Sequence, residues 1–374
     1  MTWDEDEGPD RARYRRWRQQ RWDETYAKPF PELLWTADFR AGALAKRAAR
    51  RELVRVTADA YVAHAPSEWP SWRRRNHVAR AKATAVALSI PDTCAVGGPH
   101  AALLHGLPVL TVPEIVEVHS ESFPSTLDRR LGFRRIVRVG TAQDIEIVDG
   151  MRVTSVERTV LECARRLQVD EALIIADAAL NKTVWPDPRD RVRSERALAE
   201  AKARLVDRLR REPRRAGNRR AGLVLEICNG WAESALETRV RRGMLAIGLP
   251  VPHLQTEIPT RSRVYFADAT LTWKRPDGSL WRTVVEADGR GKQQRAENVN
   301  RDRNREAEIR KTGAHYVSLL WEHMSEYGLW EFIDRLAAVV PPEVRAEMRS
   351  VDRYLTDTER RNRLSIDWRP LDQR

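Results

Sequence analysis

Val264-Tyr265-Phe266-Ala267-Asp268-Ala269-Thr270-Leu271 and Trp281-Arg282-Thr283-Val284-Val285-Glu286-Ala287, with Pro276-Asp277-Gly278 between them, decide the reading of the C-terminal third. Both segments read as strands, and the Pro-Asp-Gly turn joins them as a hairpin. Upstream, Leu254-Gln255-Thr256-Glu257-Ile258 alternates and predicts an earlier strand. Before it, Ser234 to Ile247 predicts a helix with Leu236, Val240, Met244 and Ile247 on one face, stopped by Gly248-Leu249-Pro250. Downstream, a polar helix runs from about Arg295 to Thr312, and Tyr316-Val317-Ser318-Leu319-Leu320-Trp321 is a fourth strand. The predicted order is α-β-β-β-α-β.

Charged groups fall at telling places in that order. Glu237 lies in the first helix, Asp268 on the second strand, and Glu286 and Asp288 close the third, with Lys292 following. The hairpin can bring Asp268 and Glu286 side by side. Carboxylates converging at strand ends form a hard oxygen site suited to Mg²⁺ or Mn²⁺, with Asp268 and Glu286 as the metal ligands. Such an ion can polarise a phosphodiester and orient and help ionise a water, while a lysine at the rim stabilises developing charge or assists the water. Plainer explanations stand beside this one. Ser234 and Glu237 have the spacing of a capping box. Asp268 can be an exposed strand residue, Glu286-Ala287-Asp288-Gly289 a strand end entering a turn, and Lys292 a solvated side chain. Against them, a carboxylate set in an apolar strand costs stability unless it is paired or binds a cation.

The chain has 374 residues, with 66 Lys and Arg against 54 Asp and Glu, a formal charge of +12. That length suggests two to three domains of roughly 150 residues each. Hydrophobic residues at 42% suffice for real cores, and the composition excludes collagen-like and coil-only classes. No apolar stretch approaches the roughly 18 residues that a membrane span needs. The acidic start, Met1 to Glu7, is not a secretory signal. Cys94, Cys163 and Cys228 are dispersed and lack a CxxC, which argues against a disulfide framework or a zinc ribbon and for a reducing cytoplasm. A pI near 10.0 suits a polyanionic partner, although arginine spread over solvated faces gives the same value.

Residues 1–28 carry Arg11 to Arg18 interleaved with Tyr14 and Trp17, either a basic arm on phosphates or a loose terminus. Residues 29–64 predict a basic helix over Ala41 to Arg51, followed by strands at Leu53–Val56 and Ala60–Val62, the tail end of a winged helix. Lys46, Arg47, Arg50, Arg51 and Arg55 are its candidate nucleic-acid contacts. Residues 65–192 read as a mixed α/β domain. Helices are expected at Trp72–Leu88, Val156–Leu167 and Asp170–Leu180, and strands at Ile115–His119, Arg135–Val139 and Met151–Thr154. Thr154 and Glu157 fit a capping box. His100 and His105 lack ligand spacing and read as structural, and Arg158 is expected to pair with Glu157, Asp177 or a main-chain carbonyl. Residues 193–231 form a charged helical connector, 232–340 the α-β-β-β-α-β domain, and 341–374 a charged, peripheral tail.

Val264–Asp268, Val284–Arg290 and Tyr316–Trp321 resemble the conserved blocks of the DUF559 family, part of the restriction-endonuclease-like PD-(D/E)XK superfamily and similar to Vsr-type nucleases. The resemblance covers about Ala232 to Val340. It implies Glu237, Asp268 and Glu286 as acidic ligands. Asp288 stands where the superfamily's lysine usually falls, and Lys292 is the nearest replacement. Upstream, His100–Leu107, Val153–Leu161 and Ala172–Leu180 resemble actinobacterial proteins with AbiEi-type antitoxin domains, over about residues 31–185. Those carry an N-terminal winged helix and often a DUF559-like end.

Two functions follow as expectations. One is a metal-dependent DNA endonuclease in defence or mobile-element biology, in which Asp268 and Glu286 hold Mg²⁺, Glu237 or Asp288 completes the shell or orients water, and Lys292 faces the phosphate. Arg290, Arg301, Arg303 and Arg305 would then track the DNA backbone. The other is a non-catalytic, DNA-binding regulator of antitoxin type, with a nucleotidyltransferase-like toxin as partner.

Overall fold

The computed structural model describes residues 9–27, 30–120, 126–128, 131–137, 142–213, 215–288, 296–324 and 329–362. The chain is mixed α/β, with three small sheets among the described residues. It divides into two units, Met1–Leu167 with Arg204–Gly222, and Gln168–Ala203 with Leu223–Arg374.

The first unit begins with α1 (Pro9–Trp22). Of the stretch read as a basic arm or loose terminus, residues 9–22 form this helix. The buried Trp22 indole donates to the Gly106 carbonyl at 2.8 Å, and its ring lies 5.0 Å from Tyr26. A buried indole needs such an acceptor, so this bond fixes the helix end. Next come β1 (Leu33–Trp35), α2 (Ala43–Ala49), β2 (Leu53–Arg55) and β3 (Ala60–Ala63). The expected helix-strand-turn-strand order is present, and β1 adds a strand, giving an antiparallel sheet in the order β1-β3-β2.

The middle elements are α3 (Ser71–Ser89), β4 (Cys94–Gly97), α4 (Gly98–Leu104), β5 (Val116–Ser120), β6 (Thr126–Asp128), β7 (Phe133–Val137), β8 (Ile145–Val148), β9 (Met151–Thr154) and α5 (Val156–Arg166). Their strands form one mixed sheet in the order β6-β7-β5-β4-β9-β8. Val86, Val96, Leu104, Val118 and Val153 meet in its core. The cap of α5 sits one residue later than the expected Thr154–Glu157 box. Ser155 accepts from the Arg158 N–H at 3.3 Å, because Thr154 still belongs to β9 and its hydroxyl bonds that of Thr159 at 2.7 Å. Arg158 pairs with Glu162 at 2.7 Å and Glu212 at 3.4 Å, not with the expected partners. A buried guanidinium takes the carboxylate one helical turn away. His105 places Nε2 2.7 Å from the Thr154 carbonyl, and Gly106 (φ 69°) follows the helix end.

The second unit contains α6 (Val169–Val184) and α9 (Ala235–Ala246), and shares α7 (Arg191–Arg211) and α8 (Asn218–Ile227) with the first. Then come β10 (His253–Pro259), β11 (Val264–Lys274), β12 (Leu280–Ala287), α10 (Ala296–Arg310) and β13 (His315–Leu319). From α9 onward this is the predicted α-β-β-β-α-β order. The sheet runs β10-β11-β12-β13, antiparallel except for the parallel β12–β13 pair. A parallel neighbour requires a crossover, which α10 supplies. Ile309 of α10 packs with Ile258, Ala267, Val284 and Tyr316.

After α11 (Leu329–Ala337) come α12 (Pro342–Glu347) and α13 (Asp357–Asn362). The expectation of a peripheral tail is corrected by Glu359, whose Oε1 accepts from Arg242 Nη2 at 2.8 Å. Arg242 of α9 is fully buried, and a guanidinium there requires a carboxylate. The tail supplies it and buries Tyr354 and Leu355 as well. Among the described residues no helix is long and apolar enough to cross a membrane.

Candidate functional site

The β11–β12 register brings Asp268 and Glu286 together. Ala269 pairs with Val285 and Leu271 with Thr283. One step further along both strands sets Asp268 opposite Glu286 on one face of the sheet, where facing Cβ atoms lie about 5 Å apart. The paired ladder ends at this step. Asp268 Oδ2 instead accepts the Ala287 N–H at 2.8 Å, so the main chain orients the carboxylate.

Helix α9 brings Glu237 to the same place. Ser234 caps the helix, accepting the Glu237 N–H at 3.2 Å, and Glu237 Oε2 accepts the Glu233 N–H at 2.8 Å. The capping explanation is therefore real, but it does not exhaust the environment. Gln255 Nε2 lies 3.4 Å from the same oxygen. Burial first, and then the charges of Asp268 and Glu233, push the Glu237 carboxyl well above the usual range.

Glu286 is only 2% exposed. Arg305 of α10 answers its charge, with Nη2 2.9 Å from Oε1 and 2.6 Å from the Phe266 carbonyl. Burial opposes the Arg305 charge, but Glu286, Asp268, Tyr316 and Asp288 outweigh it and raise the guanidinium pKa. The expectation that Arg305 tracks a DNA backbone is thus corrected, because it turns into the acids. Asp288 extends the parallel ladder through its N–H to the Leu319 carbonyl at 2.9 Å, and its carboxylate accepts the Ser318 hydroxyl.

The structure therefore brings Glu237, Asp268, Glu286 and Asp288 within one electrostatic neighbourhood. Lys292 and Arg290 lie outside the described residues, Arg301 falls on α10, and Arg303 is exposed on that helix. Among the described residues no group of three or more His, Cys, Asp or Glu side chains is arranged to hold a metal ion. Protein donors already engage the acids: Ala287 on Asp268, Arg305 on Glu286 and Glu233 on Glu237. Asp268 and Glu286 still fit Mg²⁺ chemically, since that ion takes one or two protein carboxylates and keeps waters or substrate phosphate for the rest.

In the first unit, Lys46, Arg50 and Arg51 are exposed. Arg47 pairs with Glu52 at 3.1 Å, and Arg55 donates to the Thr57 and Ala58 carbonyls at 3.1 and 2.9 Å. Among the described residues, only part of the expected basic set is therefore uncommitted.

The sequence reading missed Gln255 and the inward turn of Arg305. Gln255 sits in an ordinary alternating strand, and nothing in Leu254–Ile258 marks its contact. Arg305 is one of several arginines on α10, and only the β11–β12 register selects it. Compared with protein-family models, with curated proteins and with solved structures, the chain matches none.

Proposed function

We propose that this protein is a metal-dependent DNA endonuclease whose site lies on the α9–β13 core. In this reading that core is of the restriction-endonuclease-like type, residues 29–64 are a winged-helix-like DNA-binding module, and residues 65–192 are an AbiEi-like domain. One observation carries the reading: buried or half-buried acids from two adjacent strands and a helix gather at one place, and burial together with the Asp268 charge raises the Glu237 pKa. Like charges gathered at such cost mark functional sites more often than structural ones.

A bound Mg²⁺ or Mn²⁺ supplies Lewis-acid polarisation of a phosphate and a water of lowered pKa. Asp268 and Glu286 would hold it. Glu237, protonated further toward neutrality than an exposed glutamate, suits proton transfer to or from a water. Asp288 adds a second-rank carboxylate beside Arg305. Exposed Lys46, Arg50 and Arg51 would bind phosphates, a contribution that weakens with salt.

The Arg305–Glu286 ion pair at 2.9 Å favours a second reading, in which the acids are neutralised by protein alone. The protein would then be a DNA-binding regulator of antitoxin type with a toxin partner. Nicking of supercoiled plasmid in Mg²⁺ separates the two. The first reading expects wild type to nick, and Asp268→Ala and Glu286→Ala to bind DNA without nicking. Unchanged nicking by both variants contradicts it.

A further inference from the structure

Gln255 has a φ of 47° inside β10. Three other non-glycine residues among those described have positive φ, and each has a local reason. Arg51 follows α2, Trp185 caps α6, and Asp149 sits in the β8–β9 turn. Gln255 alone among them lies within a strand. Leu254 stays opposite Ala269 and Thr256 opposite Ala267, so no residue is inserted. Gln255 faces Asp268 in that register without pairing to it. Its own carbonyl and that of Leu254 accept from Arg191 Nη1 at 3.2 and 3.0 Å. Arg191 thereby satisfies main chain that has turned out of the ladder. The Gln255 side chain is buried, and its Nε2 donates to Glu237 Oε2 at 3.4 Å. Glycine or asparagine would adopt this φ with less strain. A longer residue kept in a strained place is a mark of function.

We infer that Gln255 is a positioning residue, which rests on the endonuclease reading above. Together with the Glu233 amide it fixes Oε2 of Glu237. Oε1, which accepts no hydrogen bond from the described residues, is then the oxygen presented to a water beside the ion that Asp268 and Glu286 would hold.

Full-length Gln255→Asn and Gln255→Gly test this. Both relax the backbone, and neither side chain reaches Glu237. Mn²⁺ is titrated into each by calorimetry, with Asp268→Asn alongside, and melting temperature and plasmid nicking are measured in parallel. The expected result is a melting temperature at or above wild type, Mn²⁺ affinity weakened by about tenfold to a hundredfold, and kcat lowered with KM for DNA unchanged. A purely structural role would move the melting temperature and leave Mn²⁺ affinity alone. Wild-type Mn²⁺ affinity in either folded variant overturns the inference and spares the nuclease reading. Wild-type affinity in Asp268→Asn overturns the nuclease reading and the inference with it.

Discussion

The Ala287 N–H donates to Asp268 Oδ2 at 2.8 Å, directly beyond Glu286 on β12. A side chain thus takes a donor where the β11–β12 ladder ends, and two carboxylates remain side by side at that point. Around them the chain supplies Arg305 as a counter-charge, while burial and the Asp268 charge raise the Glu237 pKa.

Arg305 is the built-in cation at Glu286. Arg305→Gln removes the guanidinium from a nearly fully buried carboxylate, at a cost of about 3 kcal/mol. Mg²⁺ that binds the folded state restores part of that by mass action. Thermal melting should show the Arg305→Gln midpoint well below wild type in EDTA and recovering in millimolar Mg²⁺ by more than wild type gains. Equal gains in both proteins contradict an ion site at Glu286.

Exposed Lys46, Arg50 and Arg51 differ from Arg47, which Glu52 holds at 3.1 Å. Each uncommitted cation changed to Ala should weaken DNA binding and lower the slope of log affinity against log salt by about one. Arg47→Ala should change the slope less. Fluorescence anisotropy across a salt series reads both, and slopes equal to that of wild type in all four variants would remove α2 from the DNA surface.

How much of this the sequence displays depends on range. The β11–β12 hairpin is legible because Pro276-Asp277-Gly278 and the flanking alternation are local signals, and Gly278 takes φ 83° as such a turn needs. Asp268 and Glu286 stand out because a carboxylate in an apolar strand is costly. The Arg242–Glu359 pair spans 117 residues, and no periodicity connects its ends. The order β6-β7-β5-β4-β9-β8 is likewise set by long-range packing, and β1 and β6, three residues each, are too short to show a pattern. Gln255 is silent because backbone strain leaves no trace in residue type unless glycine or asparagine takes the place.

His100 of α4 is 1% exposed. Burial, and then the Lys82 charge, lower its imidazole pKa from 6.5 to about 4. The unfolded chain takes a proton that the folded chain refuses. Stability from this source is therefore complete above pH 6.5 and falls as pH drops toward 4, by about 3 kcal/mol in total. Urea midpoints between pH 4 and 7 should climb with pH, and His100→Leu should flatten the climb. An equal climb in the variant would assign it to other groups.

The central claim is that Asp268 and Glu286 form one cation-dependent site on DNA. Its most direct measurement is the nicking rate of supercoiled plasmid against Mg²⁺ concentration, for wild type and for Asp268→Asn, which keeps the side chain's shape. Saturable, Mg²⁺-dependent nicking by wild type, lost in Asp268→Asn while DNA binding persists, is the predicted result. Nicking by Asp268→Asn at the wild-type rate, or no nicking by wild type at any Mg²⁺ concentration, contradicts the claim.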